Sequence, residues 1–338
     1  DLHPDPNAVV PRVVDASIKT ENQNPPFNIT RLSHVVLSSR DLDATRYFYE
    51  TGLGLEVTHR DQEFLHLRCL EEPWSHSLIF KKHEGRSCCF SIGYRVYQNE
   101  DLNKAVQFFD ANEMQYTSIE RPFQGKTLLL EDAVGVPIEI CAVMEQKEPL
   151  MRQYEKHKGG RCAFLDHVQI STHDVQAAFD WYSDLGFRLT EYTAADGSDE
   201  LWGVWLKRKY NTQDVVYSSG EGPMLHHIAL HTPEIANVIH CADAMASLGL
   251  ADNMDRPPGR HGIGNAFFIY FRDPDDHRVE IFTSHYAYID SDLTPKRWDL
   301  SNTKRSQVWG FPAPKKWFYE GQKRPNHNTC HSLQTNIN

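Results

Sequence analysis

Short strand-like stretches recur along the chain, each followed by a stretch whose apolar residues fall at helical period. Residues 32–38 read Leu-Ser-His-Val-Val-Leu-Ser and residues 165–171 read Leu-Asp-His-Val-Gln-Ile-Ser. Each is followed by a helical stretch with a tyrosine at a fixed distance from the histidine (His34 to Tyr49, His167 to Tyr182). A glycine exit then leads into alternating sequence, Gly54-Leu55-Glu56-Val57 and Gly186-Phe187-Arg188-Leu189. Pattern, spacing and order together identify a tandem duplication. Each half divides again. The first offers a strand near 89–96, a helix near 101–112 and strands near 127–141; the second a strand near 225–231, a helix near 233–248 and strands near 266–283. Leu102, Ala105, Val106 and Phe109, and Val175, Ala178, Phe179 and Tyr182, would bury one face of their helices. The helix after Thr232 is expected to start on that threonine with Pro233 in its first turn, and to stop at Gly249. The reading is an α+β protein of four βαβββ units, paired into one curved, barrel-like sheet per half.

This organisation predicts an extended arm over residues 1–29, a first domain over 30–150 and a second over 160–285. Residues 286–320 carry Tyr286, Tyr288, Trp298, Trp309, Trp317, Phe318 and Tyr319, too aromatic for a free tail, and are expected to cover the second domain. Residues 321–338 are polar and expected to be disordered. With 338 residues, two sizeable cores are affordable, and the formal charge of −11 provides no basic field for nucleic acid or anionic lipid. No apolar run approaches the roughly 20 residues of a membrane span, and no signal peptide opens the chain. Seven scattered cysteines without zinc-ribbon spacing suggest reduced thiols and a cytoplasmic protein.

Eighteen histidines justify a search for a metal site. In the second half His167 shares a strand face with Leu165 and Gln169, Leu225-His226-His227-Ile228 supplies a second imidazole, and Glu280 lies in Arg278-Val279-Glu280-Ile281-Phe282. Two neutral imidazoles and one carboxylate on three strands suit a non-haem Fe(II) facial triad, which leaves three adjacent positions open. Singly, each residue reads as an ordinary packing or surface group; their order at corresponding points of a duplicated module makes the set specific. Strand alternation alone does not choose between His226 and His227.

Gly259-x-His261, then Ile269-Tyr270-x-x-Asp273-Pro274 and Glu280, resembles the signature of the type I extradiol ring-cleavage dioxygenases of the vicinal oxygen chelate superfamily. The resemblance spans roughly residues 30–320, also carried by Leu225-His226-His227 and Arg256-Pro-Pro-Gly-Arg-His261. It implies His167, His227 and Glu280 as ligands of Fe(II), with Mn(II) equally acceptable to such donors. It implies that a catechol binds the metal through both oxygens beside dioxygen, and that His261 and Tyr270 handle protons nearby. Trp205, Arg256 and Gln169 match positions that hold a substrate's carboxylate arm. The implied product is a ring-opened hydroxymuconic semialdehyde, and tetramers occur among relatives.

Four departures accompany the match. Asp276 stands where the signature has glycine or proline. Gln213 replaces an expected acid/base histidine; its amide can donate a hydrogen bond but cannot exchange a proton near neutral pH. Gln169 replaces an asparagine. Ser306 replaces a second arginine expected near Lys304-Arg305-Ser306, which leaves open whether the catechol carries a carboxylate. In the first half His34 and Glu139 mirror His167 and Glu280, with Cys89 read at the middle position. A His/Cys/Glu zinc site would follow from that set, although a vestigial repeat is the preferred reading. Two other functions fit the scaffold: a glyoxalase-like metal-dependent isomerase or hydrolase, and a non-catalytic ligand-sequestering protein.

Overall fold

The computed structural model describes residues 12–13 and 18–323, so residues 1–11 and 14–17 of the expected arm and 324–338 of the expected tail lie outside the described residues. Four βαβββ units follow one another. The first runs through the strand Ile29–Ser39, the helix Leu42–Arg46 with its π-turn Tyr47–Gly52, and strands Glu56–Arg60, Phe64–Arg68 and Leu78–Lys82. The second comprises Cys89–Val96, the helix Asn99–Ala111, and Tyr116–Arg121, Gly125–Glu131 and Pro137–Cys141. The third is Phe164–Thr172, the helix Val175–Asp184, and Arg188–Ala194, Leu201–Lys207 and Val215–Ser219. The fourth is Met224–His231, the helix Ile235–Ser247, and Met254–Arg260, Phe267–Arg272 and Arg278–Thr283.

Units join in pairs through their opening strands, which run antiparallel: Ile29–Ser39 against Cys89–Val96, and Phe164–Thr172 against Met224–His231. The result is one eight-stranded and one ten-stranded sheet. The larger sheet gains Lys296–Asp299, parallel to Arg188–Ala194, and Arg12–Val13 beyond it. Both repeat tyrosines are fully buried, and both glycine exits have left-handed backbone, with φ +87° at Gly54 and +86° at Gly186. A side chain at Gly54 would also meet the Lys158 carbonyl at 2.0 Å, which explains the glycine at this turn.

Leu102, Ala105 and Phe109, and Val175, Ala178, Phe179 and Tyr182, point into the core as their period requires. One helix start differs from expectation. The helix before Gly249 begins at Ile235 with Glu234 at its cap, while the Thr232 hydroxyl donates to the Gly160 carbonyl at 2.7 Å. That long-range bond outcompetes the local cap. Among the described residues no helix is long and apolar enough to cross a membrane. The segment after Thr283 folds onto the second half, burying Trp298 and Trp317 but leaving Trp309, Phe318 and Tyr319 largely exposed.

Candidate metal centre and cavity

Three strands of the larger sheet meet at the site. Register places His167 opposite Ala229, and Ala229 opposite Glu280, so the imidazole and the carboxylate face the same side across Met224–His231. His227 lies two residues before Ala229 and joins them from the central strand. Ligand atoms of all three lie within 4.8 Å of one another, and all three residues are buried. Nε2 of His167 is 3.4 Å and Nε2 of His227 3.2 Å from Glu280 Oε2. Nδ1 of His167 gives its proton to Asp166 Oδ2 at 2.8 Å, which fixes the tautomer that leaves Nε2 a lone pair. His227 Nε2 is buried without hydrogen-bonding geometry to any described residue. An orphaned buried nitrogen beside a second imidazole and a carboxylate is a donor set that fits a divalent cation.

The electrostatics agree. Burial alone would raise the Glu280 carboxyl, yet the two imidazoles hold it well below the usual carboxylate range. Burial opposes a charge on His167, but Asp166 and Glu280 outweigh it and lift its pKa to about 9. Burial pushes His227 down to about 4, so this ligand is neutral near pH 7. Without metal, the pocket therefore carries a proton on His167 where a cation would otherwise satisfy the carboxylates.

A cavity of about 300 Å³ opens onto these atoms, enough for a substituted catechol. All nine residues singled out from the sequence line it: His167, His227, Glu280, Gln213, His261, Tyr270, Gln169, Trp205 and Arg256. His261 donates Nδ1–H to the Ser306 carbonyl at 2.5 Å and accepts the Tyr270 hydroxyl on Nε2 at 3.1 Å. Its ring stacks on Phe268, with centroids 4.0 Å apart. Burial lowers His261 to about 4 and raises Tyr270 well above its ordinary value, so the pair stays neutral. The Gln213 carbonyl oxygen accepts from the Thr212 hydroxyl. Its amide nitrogen lies 3.4 Å from His167 Nδ1, whose proton already goes to Asp166, so that nitrogen is only weakly committed. Gln169 donates to Ser218 Oγ at 3.2 Å. Arg256 lies over the rings of Phe268 and Trp317, bonds Gln307 at 2.9 Å, and leaves its buried Nε unpartnered.

Residues not singled out from the sequence complete the cavity, among them Trp202, Leu300, Trp317, Phe318 and Arg305. The first four belong to the start of the strand Leu201–Lys207 or to the covering segment, and pattern could not aim them inward. Arg305 adjoins the Ser306 position where an arginine was expected and lost. Its guanidinium is partly desolvated and attracted by Asp196, and among the described residues Glu280 is the only carboxylate lining the cavity. The departure at Asp276 is a left-handed backbone position, φ +69°, which accounts for the family's glycine there.

The first half holds a closed counterpart. His34 pairs with Gly93 and Gly93 with Glu139, so the strand position equivalent to His227 is Ser91, not Cys89. The register corrects a match made on sequence alone. Glu139 accepts from His34 Nε2 at 3.0 Å, Ser91 Oγ at 2.6 Å and Gln124 Nε2 at 3.1 Å, and is paired with the Arg121 guanidinium. Cys89 Sγ instead contacts the Ser91 carbonyl at 3.7 Å. A fixed cation thus stands where the other half would place a metal, and the His/Cys/Glu zinc set does not assemble.

Paired βαβββ modules with two imidazoles and one carboxylate converging on a single open cavity define a vicinal-oxygen-chelate protein with one buried metal centre. A family model described as the Glyoxalase/Bleomycin resistance protein/Dioxygenase superfamily matches residues 164–281. The manganese-dependent 2,3-dihydroxybiphenyl 1,2-dioxygenase of Geobacillus genomosp. 3 is 26% identical over 303 residues, covering 85% of this chain and 95% of the relative. Homoprotocatechuate 2,3-dioxygenase of Brevibacterium fuscum, solved with 3,4-dihydroxyphenylacetate, superposes with a TM-score of 0.86 at 32% identity, over 92% of this chain and 98% of that one. The Arthrobacter globiformis enzyme of the same name gives 0.86 at 30% identity, over 93% and 98%. The chain belongs to the extradiol ring-cleavage dioxygenases of this superfamily. It is therefore an oxidoreductase, and the isomerase, hydrolase and sequestering readings fall away.

Proposed function

We propose that this chain opens the ring of a substituted catechol beside its diol, using dioxygen, with His167, His227 and Glu280 holding one Fe(II) or Mn(II). The observation that carries the assignment is the convergence of three buried ligand atoms on the floor of a cavity of catechol size. When bound, the metal supplies a common site for both diol oxygens and dioxygen and a path for electrons between them.

The protein's own groups do the rest. His261 is neutral with the lone pair of Nε2 turned toward the Tyr270 hydroxyl at the cavity wall, so it can receive a proton that a catechol hydroxyl gives up, and Tyr270 can hold that proton in a hydrogen bond. Gln213 can donate to an oxygen atom in the cavity but cannot deliver a proton, so it orients rather than acidifies. Trp205, Trp202 and Trp317 give the ring apolar walls, while Gln169 and Ser218 present polar edges. Two arginines and a single carboxylate line the cavity, which favours a catechol whose substituent is anionic or rich in acceptors. On this reading residues 160–285 form the catalytic domain, 30–150 a non-catalytic partner and 286–320 its cover, in a cytoplasmic homotetramer.

The test is anaerobic loading with Fe(II) or Mn(II), followed by a panel of 4-substituted catechols in an oxygen electrode. One dioxygen consumed per ring and a yellow product absorbing in the near-visible support the proposal. Turnover without oxygen uptake contradicts it.

A further inference from the structure

His226 touches both the imidazole of His227 beside it and the covering segment. A register shift opposite Gln169/Ile170 puts His227 against Gln169 and Leu225 against Ile170, so His226 is the extra residue of a β-bulge. Adjacent side chains in a regular strand point to opposite faces; here both imidazoles line the cavity. Their Nδ1 atoms are 2.7 Å apart. Only one proton can occupy that contact, and its owner decides what His227 can do. If His226 donates, neutral His227 carries its proton on Nε2, turned toward Glu280, and has no lone pair there for an ion. If His227 donates, its Nε2 is free to bind an ion, and the proton of neutral His226 must sit on Nε2.

Two groups compete for His226 Nε2. The Trp317 carbonyl lies at 2.9 Å and can only accept, which requires a proton there. Arg278 Nη1 lies at 2.7 Å and can only donate, which forbids one; it also reaches the His226 carbonyl at 3.4 Å. The carbonyl therefore selects the ligating tautomer and the guanidinium the non-ligating one. Trp317 belongs to the covering segment. That segment is latched by Glu320 to Arg272 and Arg278, and by paired backbone bonds between Leu225 and Gln322 at 2.9 and 2.7 Å.

We propose that His226 is a positioning residue that couples docking of the C-terminal cover to metal binding: the Trp317 carbonyl sets the His226 tautomer, which in turn frees His227 Nε2 for the ion. With the cover displaced, Arg278 drives the opposite tautomer and the site loses a ligand. This rests on the assignment of His227 as a metal ligand.

The experiment measures Mn(II) affinity of the full chain by the EPR signal of free ion. His226→Phe, which can neither accept nor donate, is expected to weaken binding by about 10–100-fold. His226→Gln, which keeps one acceptor and a donor, is expected to stay within a few-fold of wild type. Glu320→Ala, which removes the latch of the cover onto Arg272 and Arg278 without altering a ligand, is expected to fall between them. Nitrogen-15 NMR of the metal-free chain gives a second reading: His227 protonated on Nδ1 in wild type, shifting toward Nε2 in Glu320→Ala. Equal affinity in wild type and His226→Phe, or an unchanged tautomer in Glu320→Ala, overturns the coupling while leaving the metal site standing. A wild-type chain that binds no Mn(II) or Fe(II) overturns the ligand assignment itself.

Discussion

The Tyr270 hydroxyl donates to His261 Nε2 at 3.1 Å, while the opposite nitrogen of the same ring is fixed by the Ser306 carbonyl. The imidazole is thus held as a neutral base aimed into the cavity. Tyr270→Phe removes the partner of Nε2 but none of the ligands. We expect kcat to fall by about 100-fold or more with metal content unchanged, the lower end of the scale of one acid/base contact. Steady-state oxygen uptake, alongside metal analysis of the same samples, checks it; a parallel loss of metal contradicts the role.

Metal binding should release a proton. His167 holds its proton up to about 9 in the metal-free site, above its ordinary 6.5, and the ion must displace it. Affinity should therefore fall roughly tenfold for each pH unit below about 9 until other groups protonate. The sign for metal-free stability is opposite: a raised histidine pKa contributes stability fully present below 6.5 and lost as pH rises through about 9. Titration calorimetry in buffers of differing ionisation enthalpy reads the released proton directly.

On the proposed function, Gln213 should set the rate rather than the reaction. Gln213→His places an exchangeable proton on the cavity wall, and we expect about a tenfold or larger gain in kcat. A new pH dependence between about 6 and 8 should accompany it, since only histidine titrates there. Stopped-flow oxygen consumption across that range distinguishes wild type from variant. A variant no faster than wild type, with a flat profile, would show that another group already supplies the proton.

Arg305 should choose the substrate. Arg305→Met preserves bulk while removing the guanidinium charge from the cavity. For a catechol carrying a carboxylate arm we expect kcat/KM to fall by about 10–100-fold, as for loss of a charged hydrogen bond, with little change for 4-methylcatechol. Equal effects on both substrates would place the residue outside recognition.

Arg121 in the first half should matter for folding alone. Arg121→Met strands the buried Glu139 carboxylate beside His34, and breaking such a pair costs about 3–5 kcal/mol. Denaturant unfolding should report that loss, while the metal bound per folded chain stays the same.

The duplication was legible because a strand, a helix with a buried tyrosine and a glycine turn recur in fixed order; each is a local consequence of packing. A His/His/Glu set was legible because ligand chemistry demands those residue types on paired strands, whereas the choice of His227 over His226 came only from the resemblance to the family. Ser91, not Cys89, is the counterpart of His227 because equivalence there depends on cross-strand register: Val36 faces Ser91 as Gln169 faces His227, and no local motif marks that pairing. The Thr232 cap failed for a related reason: its hydroxyl answers to Gly160, distant in sequence. Arg305 and Trp317 reach the cavity only through the path of the covering segment, and no periodicity encodes that path.

The central claim is that His167, His227 and Glu280 share one metal ion. Crystals grown anaerobically with Fe(II), measured at the iron absorption edge, test it most directly. One anomalous peak per chain is expected, within bonding distance of His167 Nε2, His227 Nε2 and a Glu280 oxygen. Iron bound elsewhere, or no peak with those three side chains turned apart, would contradict it.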